Sequence, residues 1–238
     1  MVRAAVPRLT GDDLTPLRGI ARRADRAALV ELLTGREPDL LLQHVGDALL
    51  AVDVEGLADT ARDVERRLRA RDEQGDVELA DAIAMRLAGG TPPGRRVRAD
   101  LDQVADLVSG DAERETGGWL DVETGDCLPD SAYDVMDEEF RPDVDDDARW
   151  VWLDCEGSRE RWQDRHEFAS TLRAGQPRDA LLLALHGSGA FSRFRRVLDD
   201  EPELLAEWRA FSAERDRGRA RAALARRGLV AEVPVLGT

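Results

Sequence analysis

The chain contains no lysine. All 34 of its basic residues are arginine, and isoleucine is nearly missing too, occurring only at Ile20 and Ile83. The two shortages together read first as a GC-rich coding bias, not as a functional choice. Aromatic side chains are absent from the first 118 positions; all eleven lie at or after Trp119. Two different kinds of core are therefore expected. Cysteine occurs twice, at Cys127 and Cys155, which excludes a disulfide framework and makes a cytoplasmic setting the expectation. Residues 1–10 have no apolar region of the secretory type. The longest purely apolar run, Ala180 to Leu185, is far too short to cross a bilayer, so no membrane partner is expected.

What is present describes a globular protein. The 238 residues are 42% hydrophobic and 35% charged, outside the composition of disordered chains. A chain of this length buries roughly 70% of the surface its unfolded form exposes. The net charge is −15, unevenly spread. Residues 1–90 carry 13 Arg against 17 acids, residues 91–156 carry 6 against 20, and residues 157–238 carry 15 against 12. The acidity thus sits in the middle segment. Duplex nucleic acid is poorly attracted to such a chain, with the positive last third as the exception.

Residues 1–90 read as a helical domain. Thr15-Pro16 and Glu37-Pro38 place proline where a first helical turn tolerates it, and Gly35 and Gly89-Gly90 supply stops. Three sets recur at helical spacing: Leu40, Leu41, His44, Ala48 and Val52; Leu57, Ala61, Val64 and Leu68; Leu79, Ile83 and Leu87. No residue grouping in this half looks catalytic. "GGTPPG" at 89–94 reads as a linker. Residues 95–238 read as an α+β domain, opening with a strand and a short helix through Leu101, Val104 and Leu107. "GGWLDVETGDCL" then alternates around Thr124-Gly125 as a β-hairpin, and "ARWVWLDC" alternates Trp150/Trp152 against Val151/Leu153 as a third strand. The pattern is helical from Ser158 to Gly228, and "LVAEVPV" offers a closing strand. The fold class is α+β and mainly helical: an N-terminal helical bundle, then a small antiparallel sheet packed with C-terminal helices.

Over about residues 95–230 the order of "GGWLDVETGDCL", the acidic loop, "RWVWLDCEGSRERWQDRHEF", "GSGAFSRFRRVL" and "EWRAFSAERDRGRARAAL" resembles the uncharacterised protein family one hundred and fifty-eight. Gly189-Ala190-Phe191 with Phe194, then Trp208, Phe211, Glu214 and Arg215, carry it most strongly. Members commonly have arginine where this chain has Ser188 and Ser192. That family has no established activity, so the resemblance implies a fold and not a reaction.

Several constellations have both a bland and a sharp reading. Gly187 and Gly189 precede a helix whose Phe191, Phe194, Val197 and Leu198 share one face, with Arg193 pointing outward. Pro177 to Leu185 is apolar nearly all round and is expected to be buried. A packing bend between the two helices is favoured over an anion-binding turn, since no Gly-Lys-Ser/Thr follows. In the next helix Leu204, Trp208 and Phe211 mark the buried face, which continues at Arg215 and Gly218. A buried arginine needs a partner, and Asp154 or Glu156 is expected to supply it. Arg217, Arg219, Arg221, Arg226 and Arg227, diluted by Glu214 and Asp216, read as a solvated flank before they read as a nucleic-acid surface. Cys127, Cys155, His166 and His186 lack zinc-ligand spacing, and a packed, hydrogen-bonded His166 one turn after Trp162 is favoured. Asp143, Asp145, Asp146 and Asp147 lack the glycine and glutamate of an EF-hand and read as a solvated loop. Neither a metal nor a cofactor is expected.

The function expected is a non-enzymatic binding or regulatory protein. Its protein partner would meet a groove between the strand face and the arginine-bearing helices. The alternative is an enzyme or binding module for a phosphate-containing or nucleic-acid ligand. The candidate contact residues are Gly187, Gly189, Arg193, Trp208, Glu214, Arg215 and Arg219.

Overall fold

The structure, a computed structural model, describes residues 6–54, 56–110 and 116–232. Among these residues the first half holds α1 (Leu14–Arg23), α2 (Arg26–Leu33), α3 (Leu42–Ala51), α4 (Ala58–Arg71) and α5 (Asp76–Leu87). Then come β1 (Arg95–Val97), α6 (Leu101–Ser109), β2 (Gly118–Asp121), β3 (Cys127–Pro129), α7 (Asp130–Val135) and β4 (Trp150–Leu153). The chain continues with α8 (Ser158–Thr171), α9 (Gln176–Ala184), α10 (Ala190–Asp199), the long α11 (Pro202–Arg226) and β5 (Leu229–Ala231). The protein is α+β and mainly helical.

Local chemistry sets most of the helix ends. The Thr10 amide donates to Asp13 Oδ2 at 2.7 Å just ahead of α1, and Asp25 caps α2 by accepting from the Ala28 amide at 3.1 Å. Pro38 does not open a helix as its sequence context suggested. Glu37 is tied by backbone hydrogen bonds to Pro7 and Leu9, which holds the residue before the proline in a bridge, and α3 begins only at Leu42. The expected periodic sets do enter the first core: Leu41, Ala48, Val52, Leu57, Ala61, Val64, Leu68, Leu79 and Ile83 are buried together, with Leu40 and Leu87 packed against them. Val45 and Leu49, outside those sets, join them.

The hairpin and third strand form one antiparallel sheet of order β3-β2-β4, with Trp119 opposite both Leu128 and Trp152. Its inner face, carrying Leu120, Leu153, Cys127 and Val151, packs into a second core with α6 and with Ala220, Ala223 and Leu224 of α11. The closing strand joins a different sheet. β5 pairs in parallel with β1, Arg95 opposite Leu229, so the protein has a small parallel pair beside the antiparallel sheet. A third core gathers Phe168, Phe194 and Leu198 with Trp208 and Phe211 against it. Trp208 stands edge-on to both Phe168 and Phe194 at 5.2 Å. Helix α9 is not buried all round: Leu181 and Ala184 are covered, whereas Leu183 is 72% exposed. Six apolar residues span under two turns, and only one side of them meets α8 and α10.

Helix α11 crosses the boundary that the Gly/Pro linker marks in the sequence. Its Ala210 lies inside the first core, its Trp208 and Phe211 flank the third, and its Ala220 to Leu224 segment belongs to the second.

Candidate functional site

Of the α11 candidates, Glu214 sits at the crossing of that helix with the N-terminal helices, and glycine makes that crossing possible. A Cβ on Gly218 would lie 2.2 Å from the Gln74 carbonyl oxygen, and one on Gly75 would lie 2.2 Å from the Gly218 oxygen. With the backbones in contact, the polar side chains on either side of Gly218 reach across. Gln43 and Asp47 of α3 stand one turn apart, as do Arg217 and Arg221 of α11, so each pair presents one face.

The pairs interlock. Asp47 accepts from Arg217 Nε and from Arg221 Nη2. Arg217 also reaches Asp102 at 2.9 Å, and Arg221 donates to Gln43 Oε1 at 2.9 Å. Glu214 accepts from the Gln43 amide, from His44 Nδ1 at 3.1 Å and from Arg71 Nη2 at 3.0 Å. Arg71 in turn forks onto Asp76 at 2.8 and 2.6 Å, and Asp76 takes a further hydrogen bond from Gln43 Nε2 at 2.8 Å. Burial by itself would raise the Asp47 carboxyl, but Arg217 and Arg221 outweigh it and hold the group below the ordinary carboxylate range.

The opposite side of α11 faces α8. Arg215 pairs with Glu167 and with Glu73 at 3.1 Å, not with the Asp154 or Glu156 that sequence proximity suggested. Glu156 goes to Arg219 instead, and Arg219 also forks onto Asp164 at 2.6 and 2.7 Å. Arg217, Arg219 and Arg221 are thus buried ion-pair partners, which corrects the expectation of a solvated flank; Arg226 and Arg227 are exposed as that reading has them. Burial also raises the carboxyl of Glu73, Glu156 and Asp216, the last to about 6.

One histidine and one carboxylate converge here. An ionised carboxylate only accepts, so His44 Nδ1 carries the proton toward Glu214 and Nε2 presents its lone pair. Nε2 is buried and meets no hydrogen-bond partner among the described residues. Burial depresses the His44 pKa more than Glu214 restores it, keeping the ring neutral. Such a pair has the chemistry of a general base, but His44 is 2% exposed and no substrate atom can approach it. No motif or spacing in the sequence marks His44 or its neighbours Gln43, Asp47, Arg71 and Asp76 as a site. The available signal was their position: His44 and Asp47 occupy the apolar stripe of α3, where a polar residue demands a partner.

The glycine turn is built as a helix junction. Gly187 and Gly189 take left-handed backbone angles, φ 71° and 74°. Arg193 does not point outward into solvent: its guanidinium turns back onto the carbonyl oxygens of Ala184 at 3.2 Å, His186 and Ser188. It serves the acceptors left over at the end of α9. Nearby, Trp162 donates to the Leu185 carbonyl at 3.1 Å, and His166 stacks on its ring at 5.1 Å. His166 is exposed and is held by stacking, with no hydrogen bond of its side chain among the described contacts. Trp208 is occupied by the aromatic core, and Arg165 lies 5.3 Å from its ring centre.

The space expected between the strand face and the arginine helices is filled by the second core. What opens to solvent is the other face of the antiparallel sheet. Trp119 and Trp152 meet at 4.7 Å, edge to face, and Tyr133 of α7 leans on Trp119 at 5.0 Å. All three are half-buried, while Val135 and Phe140 just beyond are 77% and 68% exposed. Arg141 lies over Tyr133 at 5.3 Å and Arg149 over Trp150 at 5.7 Å. A cavity of about 340 Å³ opens between α6 and the hairpin, beside Asp106 and Cys127. Burial pushes the Cys127 thiol up to about 12, which leaves it protonated and inert. Among the described residues no three His, Cys, Asp or Glu side chains gather as a metal site, and no helix is long and apolar enough to cross a membrane. The chain matches no protein-family model, no curated protein and no solved structure.

Proposed function

We propose that this is a non-enzymatic binding or regulatory protein whose partner is a protein presenting an arginine- or lysine-rich segment. The partner docks on the outer face of the β3-β2-β4 sheet and the adjoining 133–140 stretch. One observation carries the reading: five large apolar or aromatic side chains, Trp119, Tyr133, Val135, Phe140 and Trp152, are left half or wholly open inside a segment with 6 arginines against 20 acids. Open apolar patches rimmed by charge mark interaction surfaces. Carboxylates around them steer a cationic partner, and the ring faces accept its guanidinium or ammonium groups. Arg141 and Arg149 already rest over aromatic rings of the same surface, which supports the chemistry of the match. The catalytic alternative is less well supported, because the His44–Glu214 pair is closed to any substrate.

The test is a titration of the protein with an arginine-rich peptide, followed by tryptophan fluorescence at low and at physiological salt. Saturable binding is expected, weakened by salt and by Val135→Ser and Phe140→Ser. Those two side chains are too exposed for their loss to disturb the fold. Absence of binding at low salt, or binding indifferent to both substitutions, refutes the proposal.

A further inference from the structure

A cleft of about 550 Å³ opens between the N-terminal helices and the parallel β1–β5 pair. It shares no residue with the sheet surface described above. Four arginines line it, namely Arg86 from the last turn of α5, Arg96 and Arg98 from β1 and its continuation, and Arg221 from α11. Only two carboxylates, Asp47 and Glu232, stand with them. In a chain of net charge −15, this is a concave site of the opposite sign.

The state of each guanidinium sharpens the point. Arg96 is held by Glu232 at 2.8 Å. Arg221 spends Nε on Gln43 and Nη2 on Asp47, and its Nη1 has no acceptor among the described residues. Asp47 is further occupied by Arg217. Arg86 and Arg98 are exposed at the mouth of the cleft and have no carboxylate or carbonyl partner among the described residues, unlike the arginines of the α11 crossing. Two solvated guanidinium groups and part of a third are thus open to a ligand in the cleft.

We infer that this cleft binds a small phosphorylated ligand carrying at least two anionic groups, gripped by Arg86 and Arg98 and backed by Arg221. The planar fork of arginine matches phosphate oxygens two at a time. The volume falls in the range of small-molecule sites, and Leu50, Pro92 and Val230 give it an apolar wall without an aromatic ring. A long nucleic acid is disfavoured, because it would run from the cleft over an acidic surface. A small anion instead feels mainly the charges within a Debye length, about 8 Å at physiological salt.

The experiment uses the full chain and inorganic pyrophosphate as the probe, with chloride at matched ionic strength as the reference. Calorimetric binding and a rise in melting temperature beyond the chloride control are expected. Arg86→Ala and Arg98→Ala, singly and together, are expected to leave the ligand-free melting temperature in place and to weaken pyrophosphate roughly tenfold or more per lost guanidinium. Arg195→Ala, which removes an exposed arginine of α10 paired, among the described residues, with Asp199, is expected to change nothing. No rise beyond chloride overturns the inference, as does an equal rise in the Arg86/Arg98 double variant. Binding of a single-stranded oligonucleotide by a protein that ignores pyrophosphate overturns it too.

Discussion

Replacing Asp47 by asparagine keeps the size of the side chain and removes its charge. Two buried arginines, Arg217 and Arg221, then face an amide whose one oxygen can serve only one of them and whose NH₂ repels the other. Breaking a buried ion pair from one side costs roughly 3–5 kcal/mol, and the retained oxygen places this case near the lower figure, about 3 kcal/mol. Against a typical total of about 5–15 kcal/mol that is a large fraction. With a urea slope of about 2–3 kcal/mol per molar for a chain of this length, the midpoint falls by roughly 1–1.5 M. Tryptophan fluorescence is the assay with the most leverage, because all five tryptophans lie at or after Trp119 while Asp47 lies in the first half. Four of the five stand in the sheet and α8 and the fifth, Trp208, in α11 itself, so a substitution in α3 moves the whole signal only if α11 couples the two halves. Circular dichroism should shift in step. A tryptophan midpoint left in place refutes the coupling; both midpoints left in place refute the claim that the buried pairs matter. Asp47→Leu with Arg217→Met and Arg221→Met removes the three buried charges, leaves the part-exposed Asp102 to Arg18, and is expected to recover to within about 1 kcal/mol of the parent.

Four further outcomes are expected. The folded Asp216 carboxyl is raised to about 6, burial being the main cause, so the native state binds the extra proton between about pH 4 and 6 and loses that stability as pH rises through the window. Asp216→Asn should therefore gain on the parent from pH 4 to 6 and run parallel above pH 7 in urea titrations; a difference independent of pH refutes this. Arg193→Ala should cost about 1 kcal/mol in thermal unfolding, since it strips donors from the α9 carbonyls, and a neutral result returns Arg193 to the solvent. Gly218→Ala should lose at least about 2 kcal/mol because the new methyl meets the Gln74 carbonyl; a chemical denaturation midpoint equal to the parent's would contradict that crossing. A fragment beginning at Gly94 should show no cooperative melt, because Glu214 loses Arg71 and His44, Arg217 and Arg221 lose Asp47, and Ala210 loses its core; a sharp transition would instead support independent units at 1–90 and 95–238.

The elements that were legible in the sequence are those whose signal is local. The 3.6-residue recurrence of Leu57, Ala61, Val64 and Leu68 identifies the buried stripe of α4, and all but Leu57 are buried to the last per cent. The alternation around Thr124-Gly125 identifies the hairpin. Pairing of β1 with β5 was not legible: three-residue strands more than 130 positions apart carry no register in their own sequence. The α11 arginines read as solvated for a related reason. The stretch after Phe211 is charged on both sides and looks solvated, yet it is so because it passes between two layers that each supply the opposite charge. The partners of Arg217 and Arg221 in α3 lie 170 and 174 positions away. The one local hint was the run of small residues, Gly218, Ala220, Ala222 and Ala223, threaded among the arginines. Short side chains there say that other backbones come close.

Buried ion pairs add little net stability over apolar packing, and their better-attested effect is to fix register. The spacing along α11 fits that use. One face reads Ala210, Glu214, Gly218, Ala222 at one-turn intervals, and its neighbour reads Ala213, Arg217, Arg221, Ala225. Sliding α11 by one turn would put Ala210 or Gly218 where Glu214 now receives Arg71 and His44, leaving His44 Nδ1 without an acceptor and Arg71 short of one of its carboxylates. The same slide would bring Glu214 or Ala222 over the Gln74 carbonyl, where even a Cβ has no room. No neighbouring register satisfies both conditions, so α11 has one seat. That seat sets the position of β5, which follows within three residues of its end, and with it the wall of the arginine cleft. It also sets the α6 and β2–β4 core, which holds the aromatic sheet face outward. A single helix locked by charge therefore presents an acidic aromatic surface and a basic cleft in a fixed relation, and a change that loosens α11 must disturb both.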